Sequence, residues 1–185
     1  MVTEFKPPHK ETYSSDKKYI KLFLAGSIEM GKADDWQNAV VEALKHRIKN
    51  PDFEICIFNP RRENWDSNWE QSIDNQPFKD QVQWELSHID RSKILAFYFQ
   101  PGTISPISLY ELGVASVSSF GNKKDVIILC PEGYHRKGNV DVSAEWYNMQ
   151  LTKDFEDFIN HIEAAILHEI NQIKTFGYNK NADQI

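Results

Sequence analysis

Residues 100–116, QPGTISPISLYELGVAS, place a carboxylate where it can do chemistry. An apolar run at 94–99 precedes them and reads as a buried strand. Ser105-Pro106 then signals a helix start, with Ser at the N-cap and Pro at the first helical position, where a missing N–H costs nothing. Pro106 disfavours α geometry at Ser105, which suits a cap. Glu111 falls about one turn inside this helix, with Gly113 just beyond it. A loop after a strand, a helix N-terminus and a carboxylate one turn in make a site for an anionic or electrophilic ligand. The competing reading is a capping box, Ser108-x-x-Glu111, in which Glu111 only ties down backbone N–H groups.

A second carboxylate stands out on the preceding helix, expected over 78–90 after Pro77. Phe78, Val82, Leu86 and Ile89 form its apolar stripe; at about 100° per residue Glu85 falls in the middle and Trp84 points away. A carboxylate facing the interior is costly unless paired or hydrogen-bonded. Glu85 is therefore either a rim acid paired with Arg or Lys, or a site acid with a raised pKa. Upstream, residues 59–76 (NPRRENWDSNWEQSIDNQ) form a long polar loop. Its Trp65, Trp69, Arg61 and Arg62 favour function over disorder, because Trp is expensive to leave in water.

At 185 residues the chain is long enough for one domain with a real core and tails. Charged residues at 26% and aromatics at 12% describe a soluble globular protein. A net charge of -6 argues against binding polymeric nucleic acid or a polybasic membrane contact, but not against small nucleotide ligands. Cys56 and Cys130 each adjoin an apolar run, as buried thiols in a reducing compartment do, and neither has zinc-type spacing. No signal-peptide core and no run of spanning length is present, so the expected location is cytoplasmic.

The elements that must position these carboxylates follow in order. Residues 1–18 are polar, with Pro7-Pro8, and read as a flexible tail. Strands are expected at 19–25, 54–58, 93–99 and 125–129, with room for a short fifth near 140–142. Asp34 or Asp35 caps a helix to about residue 48, and the Pro106 helix runs to about 118. Residues 154–176 form a long amphipathic helix whose Phe155, Phe158, Ile159, Ile162, Ile166, Ile170 and Ile173 keep helical spacing. Its Ile row reads as core or an oligomer seam. The organisation expected is a tail (1–18), a catalytic domain (19–150), a C-terminal helix for packing or oligomerisation (151–176) and a frayed end (177–185).

Strands alternating with helices imply an α/β fold with right-handed crossovers. The expectation is a flavodoxin-like, Rossmann-like three-layer sandwich with a four- or five-stranded parallel sheet in order 2-1-3-4-5, plus the long last helix. Its switch point lies between strands one and three, at their carboxyl ends. Those ends are Gly26-Ser27 and residues 100–105, and Glu111 follows directly from the second.

Gly26-Ser27-Ile28 after the first strand, with Ser105 and Glu111-Leu112-Gly113 after the third, resembles the nucleoside 2-deoxyribosyltransferase superfamily. The match is closest to its 2-deoxyribosyltransferase-like branch, and also looks like the 2′-deoxynucleoside 5′-phosphate N-hydrolases. It covers roughly residues 19–148. The resemblance implies that Glu111 is the nucleophile, attacking C1′ of a deoxyribose as the base leaves, and that Glu85 protonates or holds the base. Gly26, Ser27 and Ser105 then line the sugar's 5′ side, and a second-subunit residue, here Asn148, completes the site of a homo-oligomer. No metal or organic cofactor is implied; the partners are a nucleoside or nucleotide and a free nucleobase.

Physically this is retaining glycosyl transfer, with one ionised carboxylate and one that holds a proton. A helix N-terminus favours the ionised form of Glu111, and apolar neighbours favour the protonated form of Glu85. Trp65, Trp69 and Asn59 are placed to cover and read the base, with Asp66 a further contact in the same loop. Three departures from the family pattern matter. Phe23 stands where transferases often carry a Tyr that hydrogen-bonds the nucleophile, leaving Tyr98 or Tyr110 as substitutes. Glu29 replaces the basic residue of the phosphate-binding hydrolases, unless Arg61 and Arg62 fold over to restore charge. The tail and last helix have no assigned counterpart. Beside transfer stand three alternatives: N-hydrolysis of a nucleoside or nucleotide, a non-catalytic nucleotide sensor in the same cleft, and glycohydrolysis of a larger nucleotide such as NAD.

Overall fold

The structure is a computed structural model that describes residues 1–9, 11, 17–28, 33–62, 66, 68–119 and 124–177. In chain order its elements are β1 (Val2–Phe5), β2 (Lys18–Gly26), α1 (Trp36–Arg47), β3 (Phe53–Phe58), α2 (Gln76–Arg91) and β4 (Ile94–Tyr98). They continue with α3 (Pro106–Ser119), β5 (Asp125–Leu129), α4 (Lys137–Trp146), β6 (Gln150–Thr152) and α5 (Phe155–Phe176). The strands form one sheet in order β1-β3-β2-β4-β5-β6, with every pair parallel. Beyond β1, this is the flavodoxin-like order, with its reversal between β2 and β4.

The central strands are near-continuous apolar runs because both their faces are covered. Alternate residues of β4 show this directly. Ile94 and Ala96 join the core shared with Val40, Leu44, Ile162 and Ile166 of α1 and α5. Leu95 and Phe97 join the opposite core, with Ile89 of α2, Leu112 of α3 and Val140 of α4. The result is three layers, α1 and α5 below the sheet and α2, α3 and α4 above it. Among the described residues no helix is long and apolar enough to cross a membrane.

Several expectations are corrected. Residues 1–18 are not all tail: Val2–Phe5 adds an edge strand, pairing Val2 with Ile55 through Phe5 with Phe58. The terminal ammonium donates to the carbonyls of Asn50 (3.0 Å) and Phe53 (2.9 Å). Without β1 the outer edge of β3 would leave backbone groups unpaired. Residues 140–142 are not a strand but part of α4, where Val140 and Ala144, spaced by one turn, bury together. The sixth strand is instead Gln150–Thr152, so a boundary drawn at 150 cuts through β6. The Ile row of α5 is buried in the intramolecular core, which removes it as an oligomer seam. The last residues, 178–185, lie outside the described residues, and Gly177 closes α5 with its N–H on the Ile173 carbonyl.

Candidate active site

Two loops meet where the strand order reverses. Gly26 ends β2 at φ +140°, and a Cβ there would lie 2.2 Å from the Tyr98 carbonyl oxygen, so no side chain fits. The Ser27 N–H donates to that same oxygen at 2.9 Å. Ser27 is fully buried, and its Oγ accepts from the Gln100 N–H (2.9 Å) and pairs with Thr103 Oγ1 (2.7 Å) and Ser105 Oγ (2.8 Å). Three partners fill a hydroxyl's one donor and two acceptor positions. Ser105 occupies the cap position, its carbonyl accepting from Leu109 N at 3.2 Å, but at φ 44° rather than the extended geometry usual before proline. The hydroxyls of Ser27 and Ser105 thus tie the β2 and β4 loops together.

The capping-box reading fails at its first residue, because Ser108 Oγ donates to the Gly26 carbonyl at 2.9 Å and lies below the loop. Leu112 and Ala115 pin α3 to the sheet, and this orientation buries Glu111, only 6% exposed. Among the described residues Glu111 makes no hydrogen bond or ion pair, which leaves its oxygens chemically uncommitted.

Helix α2 is rotated from the face expected. Gln81 and His88 are buried and Trp84, expected to point away, packs on the sheet, whereas Glu85 is half-buried like Phe78, Val82 and Leu86, and Ile89 is buried as expected. The reason lies on β2 and β3: Phe23 and Phe58 receive the Trp84 ring at 6.3 and 6.2 Å, and His88 stacks on Trp84 at 3.9 Å. Beyond them the Glu11 carboxylate is gripped by His88 Nε2 and by Arg91 Nη2 at 2.9 Å. Glu85 Oε1 accepts from Gln81 Nε2 at 2.8 Å, whose amide also donates to the Pro60 carbonyl at 3.2 Å. Burial raises Glu85 to a pKa of about 6.

Glu111 is raised well above the usual carboxylate range by burial and then by the charge of Glu85. Burial thus works against the ionised form of Glu111 that the helix start suggested from the sequence, while the raised Glu85 agrees with expectation. The helix N-terminus acts within its first turn, and Glu111 lies past it, so desolvation wins. Because the charge of Glu85 acts on Glu111, the two titrate as a pair, and the pair keeps a proton after ordinary carboxylates have lost theirs.

The other expected site residues scatter. Tyr98 belongs to the opposite face of the sheet, edge-on to Trp36 at 5.6 Å and beside Phe155, so it is not a hydrogen-bond donor to Glu111. Tyr110, next to Glu111 in sequence, is exposed. Asn59 is fully buried, donating to Glu4 Oε1 (2.7 Å) and accepting from the Arg61 N–H (2.9 Å), so it anchors β1 rather than facing a ligand. Arg61 turns to the start of α1, reaching the Asp34 carbonyl at 3.2 Å and Asp35 at 3.8 Å. Arg62 lies over the Trp69 ring at 4.8 Å. Asp66 is exposed and accepts from the Asn68 N–H at 2.8 Å in a local turn. Trp65 and Glu29 lie outside the described residues. Asn148, exposed at φ 53°, precedes the amino end of β6, whereas the cleft opens at the carboxyl ends.

Three contributors escaped sequence reasoning: Gln81, His88 and Glu11. The 81/84/85/88 spacing was readable as one helical face, but its mixed polarity hid it behind the more apolar stripe. Among the described residues no group of His, Cys, Asp and Glu is arranged to hold a metal ion. No curated protein matches this chain. The family model described as nucleoside 2-deoxyribosyltransferase like matches residues 19–134, more than half of the chain, a span that holds Gly26, Glu85 and Glu111 and leaves out β1 and Asn148. The chain belongs to the nucleoside 2-deoxyribosyltransferase-like family.

Proposed function

We propose that the chain cleaves the N-glycosidic bond of 2′-deoxynucleosides and transfers the deoxyribosyl group to a second nucleobase through a covalent ester on Glu111. The observation that carries this reading is the pair of carboxylates, Glu85 on α2 and buried Glu111 on α3, with the charge of Glu85 acting on Glu111. With one proton on the pair, the productive state has it on Glu85 and leaves Glu111 ionised, so the proton that burial favours on Glu111 passes to Glu85 or is lost before attack. Glu111 attacks C1′ while the bond from C1′ to the base nitrogen breaks, and the Glu85 proton goes to the departing base. An incoming base then attacks C1′, giving its N–H proton to Glu85 and releasing Glu111. Two inversions return the original anomer. Water as acceptor gives the free sugar instead, so hydrolysis is the same scheme in a wetter cleft.

The Gly26-Ser27 loop and Ser105 form the sugar side of this site in the proposal. Arg61 is committed to Asp34 and Asp35, which favours a nucleoside over its 5′-monophosphate. Asn148 serves the site only from a second subunit, in a homo-oligomer whose mass light scattering measures. The protein is proposed to act in the cytoplasm without a cofactor.

The decisive experiment incubates purified protein with each deoxynucleoside, with and without a different free base, and separates products by chromatography beside Glu111→Ala. A new nucleoside that forms only with Glu111 in place establishes transfer, and free base without exchange establishes hydrolysis. Binding without either product, undisturbed by Glu111→Gln, would replace the enzyme with a sensor.

A further inference from the structure

Among the described residues Gln81 is the one polar side chain bonded to Glu85, and it is 4% exposed. Its amide orientation is set by chemistry. Nε2 faces the Pro60 carbonyl at 3.2 Å and Glu85 Oε1 at 2.8 Å; exchanging O for N would aim one carbonyl oxygen at another. Both N–H bonds are therefore committed. Oε1 is left buried without a partner among the described residues. Buried acceptors in folded proteins are nearly always paired, and a persistent orphan calls for an explanation.

The place of this oxygen supplies one. An acid that protonates a departing nucleobase must lie against that base, and Gln81 is hydrogen-bonded to the acid assigned that task. We propose that Gln81 is a specificity-determining residue whose Oε1 accepts a hydrogen bond from an N–H donor on the substrate's nucleobase, an exocyclic amine or a lactam N–H. This rests on the nucleoside reading above and adds to it which edge chemistry the site selects. A base without such a donor leaves the Gln81 oxygen buried and unpaired in the complex, a loss of about 10- to 100-fold in kcat/KM. The Pro60 carbonyl and Glu85 hold the amide from both sides, so it does not rotate to offer an N–H instead.

The test compares matched substrates. 2′-Deoxyadenosine is set against 2′-deoxyribosylpurine, which lacks the amine, and 2′-deoxyinosine against its N1-methyl derivative, which lacks the lactam N–H. The ratio of kcat/KM within each pair is measured for wild type and for Gln81→Met, so that differences in leaving-group reactivity cancel. The expected result is a ratio at least about 10-fold larger in wild type for one pair, the pair identifying the donor, with Gln81→Met still turning over the donor-free member. Equal slowing of both members would overturn the proposal, leaving Gln81 only a positioning residue for Glu85. Should the wild type turn over no nucleoside, the reading of function fails. Calorimetry of the wild type with adenine against purine, and with hypoxanthine against N1-methylhypoxanthine, then decides the Gln81 question alone, and does so equally if Gln81→Met does not fold. Tighter binding of a donor-bearing base by about 10-fold upholds it; equal binding, or none, overturns it.

Discussion

Replacing Glu85 by Gln should stabilise the fold, and only at high pH. The folded protein raises this carboxyl from an ordinary value of 4.5 to about 6, through burial that its hydrogen bond from Gln81 only partly offsets. Folding therefore increases proton affinity. Between pH 4.5 and 6 the folded state holds more protons than the unfolded chain, so stability falls as pH rises through that window and stays lower above it. The rise corresponds to about 2 kcal/mol of penalty once Glu85 is ionised. Gln has nearly the same shape, carries no charge, and keeps an oxygen to accept from Gln81. Glu85→Gln is thus expected to gain about 2 kcal/mol over wild type at pH 8 and almost nothing at pH 4. Urea unfolding of both proteins at the two pH values measures this. Relief of the charge beside Glu111 acts in the same direction, since that charge is the second cause of the Glu111 shift. A difference between the proteins that does not change with pH, or a loss at pH 8, would refute the picture of a buried charge maintained at the cost of stability.

The same variant separates acid catalysis from positioning: Glu85→Gln should lower turnover of ordinary deoxynucleosides by about 10²- to 10⁴-fold, yet spare a 7-alkylated purine deoxynucleoside, whose base leaves without needing a proton. Equal loss on both substrates would count against the acid role. Gly26→Ala should destabilise by about 2–4 kcal/mol in urea unfolding, because its Cβ would meet the Tyr98 oxygen at 2.2 Å and φ +140° strains any side chain; a neutral result would mean that the β2–β4 junction is looser than described. Glu11→Gln tests the opposite pH linkage. Burial raises the Glu11 carboxyl, but the hydrogen bond and charge of His88, then those of Arg91, bring it down to about 2. Its stabilisation is present above pH 4.5 and lost as pH falls toward 2, so the variant should cost about 3 kcal/mol at pH 7 and a shrinking amount below pH 4.5. A constant cost across that range would show that shape, not charge, holds Glu11.

Periodicity alone located β2, β3, β4, β5 and the helices α1, α2, α3 and α5, but not α4, because a doubly covered sheet needs unbroken apolar runs and a long helix needs one apolar face. β1 and β6 escaped it. VTEF and QLT are too short and too polar to carry a pattern, and they become strands only because an edge offers unpaired backbone partners. Residues 140–142, read as a short strand, belong instead to α4, where Val140 and Ala144 bury together one turn apart and Val142 faces solvent.

The positions of Glu85 and Glu111 are sequence properties: a Pro-initiated helix after β4 and a carboxylate within the previous helix follow from local chemistry. Their protonation does not. It depends on how deeply two helices seat on the sheet, and that depth raises Glu111 where helix-end electrostatics predicted an ionised carboxylate. The rotation of α2 is equally tertiary, decided by Phe23 and Phe58 receiving Trp84 across the sheet. So is the Gln81 oxygen that finds no partner among the described residues, since an amide's unmet hydrogen bond is a property of what packs around it. Sequence sets which groups exist and which face of an element they share; packing alone sets the dielectric and the partners, and those control what each group can do.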